Sequence, residues 1–96
     1  MATILVEKNH SLGLEEAKVR AKDLLDKFHD KLSHMISDVS WNADGTRGTA
    51  KGKLFSAEFA VTDVKVMVKI ELGLMASAMK GTIEKSVRES VERKFP

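Results

Sequence analysis

The chain contains no cysteine, and its only proline is Pro96. Disulfides, thiolate metal sites and a cysteine nucleophile are therefore excluded within this chain. Because no proline lies inside the sequence, no helix or strand is forced to break at one. Aromatic residues make up only 5% of the chain. The elements must therefore be found from hydrophobic periodicity.

Long apolar runs and a strong charge of one sign are also absent. No stretch approaches the roughly 20 apolar residues that span a bilayer. Ile4–Val6 is followed at once by Glu7 and Lys8, so the sequence predicts neither a signal-peptide core nor a membrane span. The net charge is only +2, with charges of both signs in plenty, which is far weaker than in a dedicated nucleic-acid-binding protein. We expect a cytoplasmic protein.

The region 64–95 carries the clearest pattern. Apolar residues first recur at every second position, from Val64 to Leu72, which is the period of a half-buried strand. After Gly73 they recur at every fourth position, from Met75 to Val91, as on a helix. A long strand is therefore predicted to lead into a long helix. The regular helix is expected to begin only near Ser77 or Lys80, after an irregular apolar turn.

The remaining elements follow from similar signals. A short β-branched run predicts a strand over Thr3–Lys8, and an apolar stripe predicts a helix from about Leu14 to Met35. Three further strands are predicted over Ser37–Asn42, Thr46–Ala50 and Leu54–Thr62, separated by short turns. The element order is then β-α-β-β-β-β-α.

This order predicts one α+β domain over residues 1–96. Strands joined by short turns must be antiparallel, and each has one apolar face. The economical arrangement is a single antiparallel sheet with both helices on one face. The first strand must join that sheet, at a position that the sequence does not fix. The apolar series of the last helix drifts by about 40° for each four residues. That helix either curls along a twisted sheet or contacts another subunit at its far end.

Few side chains suggest catalysis. The histidines lack the spacing of a helical metal pair, and no serine lies in a strand–turn–helix elbow. We therefore expect a protein that is not an enzyme, with no metal and no cofactor. His10 is the one candidate for anion binding, because it lies just before a helix N-terminus. A small enzyme built around His10 is the minor alternative.

Larger apolar residues face small ones in the predicted interior. The small residues are Gly48 and Ala50. Two arrangements fit this pattern: the residues interlock as ordinary core, or they leave a groove for an acyl chain, with flexible methionines adapting to it. The candidate ligand-binding residues are Trp41, Phe55, Phe59, Met75 and Met79.

The opposite sheet face carries basic residues. Arg47, Lys65 and Lys69 point outward, with Lys51 and Lys53 beside a turn. Glu58 and Glu71 dilute their charge, and no aromatic residue is interleaved among them to stack on bases. A solvated face is favoured. A weakly basic nucleic-acid-binding or regulatory module using this face is the alternative function.

Several motifs resemble one bacterial family in order along nearly the whole chain. They are HSLGL at residues 10–14, Trp41, the Asp44-Gly45 turn, IELG at residues 70–73 and KGTIE at residues 80–84. This combination resembles the putative polyhydroxyalkanoic acid system protein family. The resemblance implies a small cytosolic protein associated with polyhydroxyalkanoate synthesis, and it implies no catalytic residue. The element order is also similar to a trimmed helix-grip fold, whose larger members enclose apolar ligands.

The leading expectation is a non-catalytic accessory protein of polyhydroxyalkanoate metabolism. Its partner would be an apolar or acyl ligand, a storage-granule surface or another protein. A homo-oligomer is left open, and nucleic acid is not the expected partner.

Overall fold

The computed structural model describes residues 2–31 and 36–95. The strands and helices follow the order that the sequence predicts, with a short helix added before the last one. In chain order they are β1 (Ala2–Asn9), α1 (Leu14–Lys31), β2 (Ile36–Trp41), β3 (Arg47–Gly52), β4 (Phe55–Val61), β5 (Lys65–Leu72), α2 (Leu74–Ser77) and α3 (Lys80–Lys94). The last residues of the predicted first helix, 32–35, lie outside the described residues.

The strands form one five-stranded antiparallel sheet in the order β1-β5-β4-β3-β2. The predicted α+β fold is confirmed. The meander runs β2-β3-β4-β5, and β1 adds to its β5 side, so β1 and β2 are the two edges. This placement of β1 answers the question that the sequence left open.

One sheet face carries the core. Val66, Val68, Ile70 and Leu72 are at most 6% exposed, so the predicted alternation of β5 is confirmed. Val64 departs from it: this residue is 58% exposed and precedes the strand. The Oγ1 of Thr62 accepts the backbone N–H groups of Val64 and Lys65, which makes residues 62–65 a tight turn and turns Val64 outward.

Both helices pack on this same face, as predicted. The stripe of α1 buries Ala17, Ala21, Leu24 and Leu25 and lies against β4. Helix α3 lies against β1 and contacts α1 along its side. Burying these two stripes against the sheet supplies the main driving force for folding.

Helix α3 begins as predicted, after a single turn. The chain makes the short helix α2 and then starts α3 at Lys80. The drift of the apolar series is real, because Met79 is 57% exposed whereas Val91 and Phe95 are fully packed. The far end of α3 therefore lies in the core of its own chain. The helix follows the sheet, and its far end needs no second subunit.

The two ends of the sheet differ. We call one the Leu54 end: it holds the β3–β4 turn and the β5–α2 turn, which are joined by a 2.8 Å hydrogen bond from the Gly73 N–H to the Leu54 carbonyl. We call the other the His10 end, where the His10 N–H bonds the Val64 carbonyl at 2.8 Å. Helix α3 runs from the Leu54 end to the His10 end.

Candidate functional site: an apolar cleft between the helices

The helices are tied together toward the His10 end. The Arg20 guanidinium donates to the Lys94 carbonyl at 3.0 Å, and the Lys94 ammonium pairs with Asp23. Toward the Leu54 end, a cleft of about 390 Å³ lies between the last turns of α1 and the first turns of α3. The sheet forms its floor. The fold therefore closes one end of the helix layer and leaves the other end open.

Small side chains on the sheet contribute to this space. Ala50 and Ala57 are cross-strand partners on β3 and β4, and both line the floor of the cleft. On one wall Phe28 packs against Phe59 with ring centroids 6.0 Å apart. Alanine at the two floor positions leaves room that a larger side chain would fill.

The lining is almost wholly apolar. Among the described residues that line the cleft, only Thr82 and Ser86 carry polar side chains, and none is titratable. The other lining residues are Leu25, Phe28, Ile36, Ala50, Leu54, Phe55, Ala57, Phe59, Ile70, Leu72, Ala76, Met79, Ile83 and Val87. Such a surface can hold an aliphatic chain by burial of apolar area. The described lining offers no general acid or base.

The structure brings together three of the five predicted ligand-binding residues. Phe55, Phe59 and Met79 line the cleft. Trp41 does not: it lies on the edge strand β2 and covers Gly48, its cross-strand partner on β3. The side chain of Met75 lies outside the described part of the structure. As a set, the five positions remain a prediction.

Sequence reasoning missed the contributions of the helices. Leu25 and Phe28 from α1, and Thr82, Ile83 and Ser86 from α3, line the cleft. The apolar stripe of α1 did contain Leu25 and Phe28, but a stripe that faces core and a stripe that faces a cleft have the same period. Separating them requires the distance between the helices, which no local pattern encodes.

Exposed apolar side chains lie near the Leu54 end of the cleft. Leu74 is 81% exposed and Met79 57% exposed. Leu74 follows Gly73, whose N–H donates a hydrogen bond to the Leu54 carbonyl. Both Leu54 and Met79 line the cleft. Burying these groups against an apolar partner would be favourable.

His10 lies away from the cleft. It is 8% exposed, and its ring packs against Phe95 at 5.5 Å. Its Nε2 bonds the Thr62 carbonyl at 3.0 Å, and its Nδ1 accepts the Leu12 N–H at 3.2 Å. In this arrangement both ring nitrogens are used within the protein. His10 thus links the turn before α1 to the β4–β5 turn. Anion binding at His10 stays a prediction, and both ring nitrogens already make internal hydrogen bonds.

The outer sheet face is internally compensated. Arg47 pairs with Glu58 at 3.2 Å, Lys69 pairs with Glu71 at 3.4 Å, and Lys65 pairs with Glu7. Three of the basic residues predicted to face outward are therefore in ion pairs. This reduces the positive potential that the nucleic-acid alternative requires.

The ion pair between α1 and α3 shifts the pKa values of Asp23 and Lys94. The hydrogen bond from Lys94 holds the pKa of Asp23 below its usual range. The same contact with Asp23 raises the pKa of Lys94. Each partner favours the charged form of the other, which secures the closed end of the helix layer.

Within residues 2–31 and 36–95, no group of three or more His, Asp or Glu side chains is placed to hold a metal ion. In the same ranges, no helix is long and apolar enough to cross a membrane.

Comparison with known proteins places the chain. No curated protein matches it. A crystal structure of TTHA0849 from Thermus thermophilus is similar in 97% of this chain and 91% of that chain, at 12% identity and a TM-score of 0.45, a likeness too weak to carry an argument. The profile of one family, described as "Putative polyhydroxyalkanoic acid system protein", matches residues 4–95. The chain therefore belongs to this family, as the motifs from HSLGL to KGTIE predicted.

Proposed function

We propose that this protein is a non-catalytic accessory protein of polyhydroxyalkanoate metabolism that acts in the cytoplasm and binds an aliphatic chain in the cleft between α1 and α3. The observation that supports this most is the chemistry of the cleft. Its described lining is apolar, with two hydroxyls and no titratable side chain. A site of this kind favours binding over acid–base chemistry.

The size of the cleft favours one chain. A volume of about 390 Å³ lies toward the small end of ligand sites, which run from about 300 to 1,000 Å³. That is enough for a single extended or bent aliphatic chain. The family supplies the chemical context, because polyhydroxyalkanoates are polyesters with aliphatic side chains.

The exposed apolar residues beside the cleft favour an aliphatic chain that is part of a larger apolar surface. Leu74 and Met79 are exposed near the Leu54 end. An apolar granule surface would cover both side chains while one aliphatic chain entered the cleft. Fully burying an exposed Leu or Met contributes about 1.5–3 kcal/mol, and these two side chains would contribute less than that because each is already partly covered.

Sedimentation with purified granules of a medium-chain polyester tests the proposal. We expect wild-type protein to sediment with the granules, and the double variant Leu74→Glu, Met79→Glu to stay in the supernatant. Two charges brought against an apolar surface are costly to desolvate. Binding that persists in high salt would support an apolar contact over an electrostatic one.

A matched control uses exposed apolar residues elsewhere. Val19 on the outer side of α1 and Val64 at the His10 end are 63% and 58% exposed. The double variant Val19→Glu, Val64→Glu adds the same two charges and should still sediment. Failure of the wild type to bind granules, or equal loss in both double variants, would contradict the proposed mode of binding.

A further inference from the structure

The two edges of the sheet are protected unequally. β2 has six residues, and a bulge between Ile36 and Asp38 interrupts its pairing with β3. β1 has eight residues that pair with β5 without a break, from Ala2 to Asn9. Bulges and inserted charges are the usual devices that stop a sheet edge from pairing with another chain. β1 carries no bulge, and its two charged residues, Glu7 and Lys8, lie in its second half, after the uncharged Ala2–Val6.

Backbone geometry shows which groups face the free edge. Residues of an antiparallel pair alternately exchange hydrogen bonds with the partner strand and point away from it. The His10 N–H bonds the Val64 carbonyl at 2.8 Å, so the even-numbered residues of β1 face β5. The N–H and C=O groups of Thr3, Leu5 and Glu7 therefore point out of the sheet edge.

The side chain of Leu5 adds a second observation. It is 50% exposed on the outer face of the sheet, between Thr3 and Glu7. Its cross-strand neighbour on β5 is Lys69, whose ammonium pairs with Glu71. Leu5 thus places an exposed apolar side chain in the middle of the strand, at a residue whose backbone N–H and C=O groups point out of the sheet edge.

We propose that β1 pairs antiparallel with β1 of a second copy of this chain, about a two-fold axis at Leu5, to form a continuous ten-stranded sheet. Leu5 then lies opposite the partner's Leu5, and Thr3 lies opposite the partner's Glu7. These three outward-facing pairs exchange about six backbone hydrogen bonds. An isologous contact of this kind closes at two subunits.

This register suits the side chains of both faces. On the outer face the two Leu5 side chains cover each other, and each Glu7 meets a threonine instead of a second carboxylate. On the inner face Ile4 lies opposite the partner's Val6, and Ala2 lies opposite the partner's Lys8. Shifting the pairing so that Leu5 meets the partner's Glu7 would place an apolar side chain against a charge on both sides of the axis.

The helix layer is compatible with this arrangement. A two-fold axis perpendicular to the sheet keeps the helices of both copies on the same face. Helix α3, which lies over β1, then runs antiparallel beside the partner's α3. Its exposed side carries both signs of charge, such as the Glu84–Arg88 pair at 3.4 Å. Charges of both signs on this side reduce the electrostatic repulsion between the two helices.

Cysteine cross-linking tests the register directly, because the natural chain has no cysteine. Residues opposite each other in a hydrogen-bonded antiparallel pair have Cα atoms about 5.5 Å apart, which suits a disulfide. We expect Leu5→Cys to form a covalent dimer under mild oxidation. A mixture of Thr3→Cys and Glu7→Cys chains should cross-link as a heterodimer, whereas neither chain should cross-link with itself.

Val64→Cys is the matched control, since Val64 is similarly exposed but lies off the edge; it should stay monomeric in denaturing gels. Sedimentation equilibrium of the wild type should show a dimer. Leu5→Pro should lower its association constant at least tenfold, because proline removes an outward N–H that β5 does not use. A wild type that stays monomeric at high concentration, or a dimer in which Leu5→Cys cross-links no better than Val64→Cys, would overturn the proposal.

Discussion

At the scale of single residues, the indole of Trp41 lies over Gly48. A Cβ placed on Gly48 would lie 2.8 Å from the indole carbons of Trp41. The backbone of Gly48 has no positive φ. Glycine is therefore needed at this position for space and not for its conformational freedom. The indole covers the gap in β3 that the absent side chain leaves.

Gly48→Ala should destabilise the protein. The added methyl must displace the indole ring, and overpacking of this kind costs about 1–3 kcal/mol. Urea unfolding followed by circular dichroism measures the change as a lower midpoint. In a Trp41→Leu background the same substitution should cost much less, so equal costs in both backgrounds would contradict the contact.

Gly81→Ala should have the opposite effect. Gly81 lies in the first turn of α3, and a Cβ there would meet nothing within 4 Å. Alanine is favoured over glycine within a helix by about 1 kcal/mol, so the urea midpoint should rise. A lower midpoint would show that α3 does not begin where the structure places it.

His10→Ala is expected to be a structural lesion. The substitution removes the hydrogen bonds to Thr62 and Leu12 and the ring contact with Phe95. Leaving a carbonyl and an N–H without partners costs about 1–3 kcal/mol each if they stay buried. The midpoint of thermal unfolding should fall, while sedimentation with granules below that temperature should be unchanged. Granule binding that disappears from folded protein would instead give His10 a functional role.

At the scale of helices and strands, most of the architecture could be predicted from local pattern. The alternation in β5 has the period of a strand and the stripe of α1 has the period of a helix, so each pattern predicted the type of its element. The prediction that Val64 continues the buried face of β5 was wrong, because a hydrogen-bonded turn at Thr62 precedes the strand. Alternation of apolar residues alone cannot detect such a turn. The placement of β1 beside β5 depends on contacts between residues far apart in sequence, which periodicity does not record.

The candidate site was predictable only in part for the same reason. Phe55 and Phe59 share one face of β4, and both line the cleft. The position of Trp41 depends on the β2–β3 register, which sets it on Gly48 and away from the cleft lining. Ligand binding at these residues stays a prediction. The wall formed by Phe28 and Ile83 depends on how far α1 and α3 stand apart.

The Asp23–Lys94 contact between α1 and α3 should make the free energy of unfolding decrease at acidic pH. The pKa of Asp23 is lowered by Lys94 in the folded protein, so this contact contributes fully above the ordinary aspartate pKa of about 3.9. The contribution is lost as the pH falls through the lower, folded pKa. As the pH falls below about 4, the midpoint of thermal unfolding of Asp23→Asn should fall less steeply than that of the wild type.

Lys94→Met is the companion variant. It removes the other half of the pair and should give the same shallower pH profile, and the double variant should add nothing further. Independent, additive effects of the two substitutions would show that the seam between the helices is not held by this pair.

At the scale of the whole molecule, helices α1 and α3 cover one face of the sheet and leave it accessible through the cleft toward the Leu54 end. Helices α1 and α3 are joined by the Lys94–Asp23 pair and border a common cleft toward the Leu54 end. The apolar lining and the exposed Leu74 lie together near this end. The proposed binding of an aliphatic chain depends on this open cleft, which a fully packed scaffold would not have.

Titration of isotope-labelled protein with dodecanoate, followed through backbone amide chemical shifts, tests this claim most directly. We expect saturable shifts concentrated at the cleft, at Ala50, Ala57, Ala76 and Ser86, and a loss of those shifts when Ser86→Trp fills the space. Outer-face residues such as Thr49 and Glu71 should move little. A spectrum that does not change, or shifts confined to the outer face, would contradict the account.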